Sequence, residues 1–496
     1  MSSASPGKPF PVWLLGIPLS AVTAGECEGA VLDWARSSDG ECRFVATSNV
    51  DFLVKALAWG PGTTRHPELV EVLRQAAMNT ADGMPLVWAA RWLGGPLPAR
   101  VSGSDLVPAL SRSAAREGLP LFLLGGAEPV TRRAAEILRT ESPALQIAGV
   151  DCPFVFTEGG KIAFEAERDR EICEKINASG ARILLIGFGN PKQEMWFQRN
   201  SYRLKPGVAL GVGGTFNFVA GEVGRAPAWM QKAGLEWVYR FLAEPGRLWK
   251  RYAVGLVKYA VMTAPVVAGH VLLRAFARQG GSPETPTTAF SGDNSVQTIK
   301  LPPRLDGAAA QVFEAAGEGL GSALVLDASA CTFVDAAGFG VLWTLTRLRR
   351  ETGIYILAPR RRFRFLGYLH RAGDFLSPFL CRTLGDLEMR LSERFPHAGC
   401  FVSIEGSTSE TRISFLGSLT SSDLKALNRD DLIRALGTGH LTLDLAYCRR
   451  IDADGLGLLT RLKAFAEARG SRALVKNPSR EIRASIEVAG LTNALL

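Results

Sequence analysis

The sequence predicts an α/β protein: a parallel sheet with helices on both faces, followed by two copies of a smaller α/β module. Three observations carry this expectation. From about residue 10 to 245, short apolar runs alternate with helical ones, the pattern of strand–loop–helix units that assemble a parallel sheet. Residues 279–296 are rich in Gly, Ser, Thr and Pro and weakly charged, which reads as a linker. Beyond it Val325–Leu342 (VLDASACTFVDAAGFGVL) returns as Thr442–Leu459 (TLDLAYCRRIDADGLGLL), and such a repeat is most simply two copies of one domain. At 496 residues the chain is also too long for one ordinary core, and about two to three domains are expected.

Taken in order, Phe10–Val22 (FPVWLLGIPLSAV) is apolar and is followed by small residues, as a signal peptide would be. Its only basic flank is Lys8, and Pro11, Gly16 and Pro18 interrupt any helical core. The reading is a first strand and turn, with no export signal. CRFVATSN (Cys42–Asn49), LPLFLLGG (Leu119–Gly126), LQIAGV (Leu145–Val150), ARILLIGFG (Ala181–Gly189) and GVALGVGG (Gly207–Gly214) read as buried strands. PELVEVLRQAAMN (67–79) and VTRRAAEILRTES (130–142) read as helices, which leaves Ala81-Asp82-Gly83 just after a helix. In each repeat a strand ends in an aspartate (Asp327, Asp444), a second short strand follows, and a helix opens at Asp335 or Asp452. An aspartate at that place accepts from the free N–H groups of the first helical turn.

Hydrophobic residues make up 47% of the chain and charged ones 21%, the values of a globular protein. The formal net charge of +9 suits a polyanionic partner only where the charge is concentrated. The eight cysteines (Cys27, Cys42, Cys152, Cys173, Cys331, Cys381, Cys400, Cys448) form no C-x-x-C pair, and the five histidines are dispersed. This argues against a zinc site or a disulfide framework and for a reducing cytosol. No cofactor, no metal and no nucleic-acid partner are expected.

Four stretches of the first half have the make-up of ligand machinery: Thr47-Ser48-Asn49, Ala81-Asp82-Gly83, GFGNPKQE (Gly187–Glu194) and GVGGTF (Gly211–Phe216). Glycines at strand ends let backbone N–H groups approach a phosphate, and a helix start favours its charge. Taken alone, such a loop is more often a tight turn. Neither loop fits G-x-G-x-x-G with a distant acid, and G-x-x-x-x-G-K-[ST] is absent, which disfavours a dinucleotide dehydrogenase and removes a P-loop ATPase. The combination says more. In order, ADG, RVSGSDL (Arg100–Leu106), LFLLGG, GFGNPKQE, GVGGTFNFVAGEVGRAPAW (Gly211–Trp229) and GLEWVYRFLAEPGRLWKR (Gly234–Arg251) closely resemble the WecG/TagA/CpsF family of glycosyltransferases (glycosyltransferase family 26), over roughly residues 10–252.

The resemblance implies a Rossmann-like glycosyltransferase domain over 1–245. It also implies a reaction: a sugar, typically N-acetylmannosamine or a relative, moves from a UDP-sugar donor to a polyprenyl-diphosphate-linked sugar, with inversion and without a metal. Inverting transfer needs one general base for the acceptor hydroxyl, and fixed dipoles or cations must stabilise the leaving diphosphate when no metal does. By the resemblance Asp82 is that base, and Thr47, which with Asn49 forms the polar pair at the neighbouring strand end beside the donor, is a catalytic residue with it. Donor contacts fall to Asn49, Arg100, Gly187, Gly189, Asn190, Pro191, Gln193, Glu194, Gly213 and Gly214. From its residues alone, Asp82 reads instead as a cap or turn before Gly83. A D-x-D pair, as metal-dependent transferases carry, occurs at Asp452-Ala453-Asp454; the first repeat has Asp335-Ala336-Ala337 there, so the pair reads as an accident of one copy.

Positive charge does concentrate between Gly224 and Lys258. Arg225, Lys232, Arg240, Arg247, Lys250, Arg251 and Lys258 are answered only by Glu236 and Glu244, and Trp229, Trp237, Tyr239, Phe241, Trp249, Tyr252 and Tyr259 are interleaved with them. Basic and aromatic side chains together suit an interfacial helix with cations on lipid phosphates; aromatics packed on the core are the alternative, and the reading for Trp237 and Phe241. The resemblance assigns Arg240 and Arg247 to the lipid diphosphate of the acceptor, with the third basic position at Lys250 and Arg251 beside it. Ala253–Leu273 approaches the roughly 20 apolar residues that span a bilayer. Lys258, Pro265 and His270 favour an interfacial or re-entrant amphipathic helix over a simple span. Residues 246–278 are therefore expected to be a membrane-associating appendage. The protein is expected in the cytoplasm, held peripherally on the anionic inner face of the plasma membrane.

Residues 297–395 and 396–496 resemble STAS domains, small α/β modules related to anti-sigma-factor antagonists, on their LDxSxCxFVDAAG and LDLAYCRRIDADG cores and the late strands IYILAP and ALVKNP. In switchable members a serine directly after the second aspartate is phosphorylated; here Ala336 and Ala453 stand there. A docking or regulatory role with a protein partner is expected in place of a phospho-switch. The leading expectation is a transferase for cell-envelope or exopolysaccharide synthesis fused to two STAS-like modules, with a homo-oligomer as a further candidate. The alternative is a non-catalytic nucleotide-sugar-sensing STAS regulatory protein.

Overall fold

The computed structural model describes residues 10–60, 63–153, 157–158, 161–162, 166–224, 226–227, 230, 238–239, 245–277, 287–291, 294–306, 312, 322–396, 400–406, 410–426, 432 and 439–496. It divides into two compact units: Met1–Leu273 with Asp335–Gly340 and Gly367–Gly373, and the remainder of Arg274–Leu496.

The chain opens with an antiparallel hairpin of β1 (Val12–Leu14) and β2 (Ile17–Leu19), the expected strand and turn. Then come α1 (Ala24–Arg36), β3 (Arg43–Ser48), α2 (Val50–Ala56), α3 (Pro67–Gln75), β4 (Met78–Ala81), α4 (Met84–Trp92), α5 (Gly103–Glu117), β5 (Leu121–Leu124), α6 (Glu128–Glu141) and β6 (Ile147–Asp151). After the two-residue strands β7 (Thr157–Glu158) and β8 (Lys161–Ile162) follow α7 (Ala166–Ala178), β9 (Ile183–Ile186), α8 (Lys192–Asn200), β10 (Val208–Gly211), α9 (Thr215–Val219) and α10 (Pro245–Phe276).

Among the described residues the first unit is built on a six-stranded sheet in the order β4-β3-β10-β9-β5-β6, with every neighbouring pair parallel. Strand residues alternate between its two faces, as the period of two requires. Phe44, Ala46, Leu184, Ile186 and Ala209 pack into one apolar cluster with α2, α3, α4 and α8. Val45, Ile183, Leu185, Val208 and Leu210 pack into another with α1, α5 and α6. Both faces are covered, so the expected α/β architecture holds.

Two expectations change here. The helix expected over 67–79 stops at Gln75, and Met78 and Asn79 belong to β4. Met78 pairs with Val45 and Ala81 with Ser48; sheet pairing wins because the helical period of apolar residues ends at Ala76. Asp82 therefore follows a strand, not a helix. Lys258, expected among exposed basic residues, is buried at 4% exposure, because α10 turns that side toward the apolar cluster formed with Tyr259, Met262 and Val266.

C-terminal to α10 come β11 (Thr287–Ser291), β12 (Asn294–Lys300), β13 (Arg304–Leu305), β14 (Ala323–Asp327), β15 (Phe333–Val334), α11 (Ala336–Leu348), β16 (Ile354–Leu357), α12 (Arg361–Leu369), β17 (Leu380–Cys381) and α13 (Leu384–Arg394). The second repeat supplies β18 (Phe401–Gly406), β19 (Glu410–Leu419), β20 (His440–Ile451), α14 (Ala453–Ala468), β21 (Ala473–Lys476) and α15 (Arg480–Val488). The stretch expected as linker over 279–296 is thus too long: residues 287–291 and 294–296 are paired strands, favoured by the β-branched and aromatic TTAF.

Among the described residues the second unit holds a nine-stranded sheet in the order β17-β16-β14-β12-β11-β18-β19-β20-β21, beside the short pair β13-β15. Its two halves share a topology. β11 is antiparallel to β12 and β12 parallel to β14, while β18 is antiparallel to β19 and β19 parallel to β20. The copies meet at their first strands, β11 against β18, antiparallel with Phe290 opposite Val402.

Candidate active site

The order β4-β3-β10-β9 brings four strand ends side by side. Because all four strands run parallel, Asp82 after β4, Asn49 after β3, Gly213 and Gly214 after β10 and Gly187 and Gly189 after β9 stand along one carboxyl edge. Ligands of parallel α/β sheets bind at this edge. The backbone stitches it: Asp82 N donates to Ser48 O at 2.7 Å, Val101 N to Ala81 O at 3.0 Å and Val212 N to Ile186 O at 2.9 Å. The bond from Val101 lays the Arg100–Ser102 segment beside the end of β4. There Arg100 Nη2 reaches Asp105 Oδ2 at 2.8 Å, and Ser102 Oγ donates to the same oxygen at 2.7 Å.

Asn49 is the N-cap of α2, its side-chain oxygen accepting from Asp51 N at 3.0 Å. That geometry leaves its amide group as a donor at the edge. Helix α4 begins at Gly83 with no side-chain hydrogen bond at its cap, so its start does not draw on a carboxylate in that position. The Thr47 hydroxyl is buried and donates to Gly211 O at 2.7 Å. It ties β3 to β10.

Gln193 joins the two glycine loops. Its Oε1 accepts from Gly189 N at 3.2 Å and from Gly213 N at 3.0 Å, and its Nε2 donates to Glu194 Oε1 at 2.7 Å. It is 1% exposed. Gly213 takes φ +53° to aim its N–H there, a conformation glycine adopts without strain. Gly187 is needed for space, since a Cβ would lie 2.5 Å from the Phe216 ring. Glu194 is fully buried; it also accepts from Asn190 Nδ2 at 3.3 Å, whose carbonyl takes a 2.8 Å bond from Lys55 Nζ. Burial pushes the Glu194 carboxyl up to about 7, against the downward pull of Gln193, Asn190 and the Lys55 charge. Pro191 follows Asn190 through a cis peptide and precedes α8.

The structure therefore brings Thr47, Asn49, Asp82, Arg100, Gly187, Gly189, Asn190, Pro191, Gln193, Glu194, Gly213 and Gly214 to one edge, with Gln193, Glu194 and Thr47 engaged in its framework. Arg240 lies outside the described residues, as do Trp237 and Phe241, and Arg247, Lys250 and Arg251 fall in the first two turns of α10. Lys55 was missed from the sequence. Its i,i+4 pair with Asp51, at 2.8 Å, is legible locally, but its bond to the Asn190 carbonyl is not. Among the described residues no cluster of three or more His, Cys, Asp or Glu could hold a metal ion.

Helix α10 is continuous through Pro265, and Val254–Phe276 is long and apolar enough to cross a membrane by length and composition. One side of it is buried. The other shows Val254, Val257, Val261, Val271 and Leu272, each about half or more exposed.

In the repeats Asp335 Oδ1 accepts from Gly338 N at 2.8 Å and Asp452 Oδ1 from Gly455 N at 3.0 Å, as the sequence leads one to expect of caps. Asp327 and Asp444 likewise accept from Ser329 N and Ala446 N, at 2.9 and 3.0 Å.

Comparison with known proteins matches residues 12–268, more than half of the chain, to the family described as glycosyl transferase WecG/TagA/CpsF, and residues 402–496 to the Mlab STAS domain. The chain is similar to the N-acetylglucosaminyldiphosphoundecaprenol N-acetyl-beta-D-mannosaminyltransferase of Bacillus spizizenii, 29% identical over 208 residues, which are 42% of this chain and 74% of that protein. Among solved structures it is similar to the anti-sigma factor antagonist SpoIIAA in its unphosphorylated form (20% identity, 19% of this chain, 85% of that one, TM-score 0.18). It is also similar to the murine anion transporter Slc26a9 (13% identity, 47% of this chain, 40% of that one, TM-score 0.18).

Proposed function

We propose a reaction from one premise: the chain belongs to the WecG/TagA/CpsF family of glycosyl transferases. It is thus a glycosyltransferase, carrying a STAS domain over 402–496. The reaction proposed is inverting, metal-independent transfer of N-acetylmannosamine from its UDP-sugar to a polyprenyl-diphosphate-linked N-acetylglucosamine, in cell-envelope or exopolysaccharide synthesis. The donor and acceptor are those in the name of the Bacillus relative.

The observation that carries the reading is the shared carboxyl edge, where a carboxylate, a capped asparagine and two glycine loops end on four adjacent parallel strands. Asp82 takes the proton of the acceptor hydroxyl as it attacks the anomeric carbon. The glycine loops, held together through Gln193, cradle the diphosphate with backbone N–H groups, and Arg100 and Asn49 add donors. Thr47 keeps β3 and β10 in register beneath them. The D-x-D pair of the second repeat takes no part, since Asp452 spends its oxygens on Gly455 and Ser421.

The apolar outer side of α10 supports a peripheral seat on the inner face of the plasma membrane: one side of the helix is held by the protein and the other suits the acyl boundary. Arg240, Arg247, Lys250 and Arg251 then hold the lipid diphosphate of the acceptor. The STAS-like pair serves as a docking module for a protein partner.

A donor screen by UDP release, with a polyprenyl-diphosphate-N-acetylglucosamine analogue as acceptor, tests the chemistry. Release from UDP-N-acetylmannosamine that needs the acceptor, survives a chelator and is lost in Asp82→Asn is the expected result. No release from any UDP-sugar would end this reading. Flotation with anionic vesicles tests the membrane seat; protein that stays at the bottom at low salt would refute it.

A further inference from the structure

Helix α10 touches α2, which Asn49 caps, and α4, which begins two residues after Asp82. Lys258 Nζ donates to Val54 O at 2.6 Å and to Leu57 O at 2.7 Å, which closes the carboxyl end of α2. That helix is only seven residues long and begins at its cap Asn49. The Trp59 ring lies 5.7 Å from the same ammonium. One residue on, Tyr259 OH donates to Pro85 O at 3.2 Å, in the first turn of α4, three residues after Asp82. Tyr259 is 6% exposed, and Thr263 Oγ1 donates to its carbonyl at 2.7 Å.

A short helix behaves as a rigid rod, at about 1.5 Å per residue. Fixing the far end of α2 therefore fixes Asn49, about 10 Å away. Fixing the first turn of α4 fixes the Asp82-Gly83 turn still more directly. The Lys258 bonds are unlike ordinary packing, because the last carbonyls of a helix need partners from outside it, and here α10 supplies them to α2.

We propose that Lys258 and Tyr259 are positioning residues for the transfer reaction, through which α10 sets the placement of Asn49 and Asp82 at the sheet edge. This rests on the reading of Asp82 as base. A displacement of about 1 Å at a reacting group can cost as much as 100-fold in rate. The effect of Tyr259 falls on turnover, since it acts on the Asp82 turn, whereas that of Lys258 also reaches donor KM through Asn49, one of the proposed donor contacts. It also gives α10 two tasks on its two sides: the buried side holds the site, and whatever loads the apolar outer side acts on the same helices.

Two measurements on the full chain test this. Hydrogen exchange reads the contacts without turnover. Lys258→Met is expected to speed exchange over 49–57 and Tyr259→Phe over 82–90, with the strands of the sheet unchanged; unchanged exchange in those segments overturns the proposal. In the UDP-release assay, Tyr259→Phe is expected to lower kcat about 10-fold, with donor KM within about 2-fold and UDP binding still one per chain. Lys258→Met is expected to lower kcat and to raise donor KM through Asn49, and Lys258→Arg, which can still cap two carbonyls, recovers most of both. In an Asp82→Asn background, Tyr259→Phe is expected to change the residual rate less than about 2-fold, because residues that act through one group are not additive. Equal fold-losses in both backgrounds, or wild-type kcat in both variants, overturn the proposal. A wild-type chain that releases no UDP overturns the transferase reading instead, and the exchange data then judge the contacts by themselves.

Discussion

Asp82 and Asp452 both stand between the end of a strand and the start of a helix, yet the two helices begin differently. At α14 the Asp452 side chain is the N-cap and accepts from Gly455 N, while its second oxygen takes Ser421 N and Oγ, each at 2.7 Å. Asp335 does the same for Gly338 at α11. At α4 the cap position belongs to Gly83, and no side chain serves it. In the repeats an aspartate is consumed by the fold, whereas at the edge of the first sheet the turn is built by glycine backbone and the carboxylate is placed one residue earlier. By this contrast the proposed role of Asp82 as a base goes with a helix whose cap is held by glycine and not by an aspartate.

The sharpest way to break that contrast is to swap carboxylate for amide. Asp82→Asn is expected to lower kcat by about 100- to 10,000-fold with an unchanged unfolding midpoint. A loss under about 10-fold, read by UDP release, would return Asp82 to the company of the capping aspartates. Next in size is Gln193→Ala, which takes away the bond that the part-buried N–H groups of Gly189 and Gly213 share and so loosens the two loops. A fall of about 30- to 100-fold in kcat/KM, mostly in donor KM, is expected in initial rates; an effect on kcat alone would place Gln193 outside the diphosphate cradle. Asp452→Ala should destabilise the second unit by about 1–2 kcal/mol, as lost N-caps do, in urea unfolding, and leave UDP release unchanged. A drop in transfer rate without loss of stability would contradict its structural role.

The smallest effect concerns pH. The Glu194 carboxyl is raised by burial from an ordinary 4.5 to about 7, so the folded state holds a proton that the unfolded state has lost in that window. A raised value of this kind contributes stability that is complete below about 4.5 and is lost as pH rises through about 7. The midpoint of wild type relative to Glu194→Gln should therefore fall between pH 5 and pH 8. A constant difference would show that Glu194 is ionised in the folded protein throughout. For Asp452, burial acts to raise the carboxyl, but the bonds from Gly455 and Ser421 outweigh it and hold it below its usual value.

Much of the site was legible in the residues. The four polar and glycine-rich stretches fell at strand ends because apolar runs such as ILLI (Ile183–Ile186) and VALG (Val208–Gly211) are too short and too uniformly buried for helices. The strand before Asp82 is not legible, since PELVEVLRQ carries a strong helical period and the four-residue strand MNTA shows no alternation of its own. Strand β11 was hidden in a linker for the same reason: TTAFS has the composition of a polar spacer, and only its partners β12 and β18 make it a strand.

By itself, the sequence determined the features that rest on local periodicity and on identity between copies. These are the two-faced parallel sheet, whose alternate residues feed two apolar clusters, and the repeated module with its aspartate caps, which are contacts across three residues. Tertiary structure decided what depends on partners far along the chain. Gln193 became the tie between loops 20 residues apart, the two repeats joined into one sheet through β11 and β18, and Lys258 left the basic surface cluster to cap carbonyls about 200 residues away in sequence. A buried polar group goes where an unpaired partner waits, and an unpaired carbonyl at the end of a short helix leaves no mark in the residues that carry it.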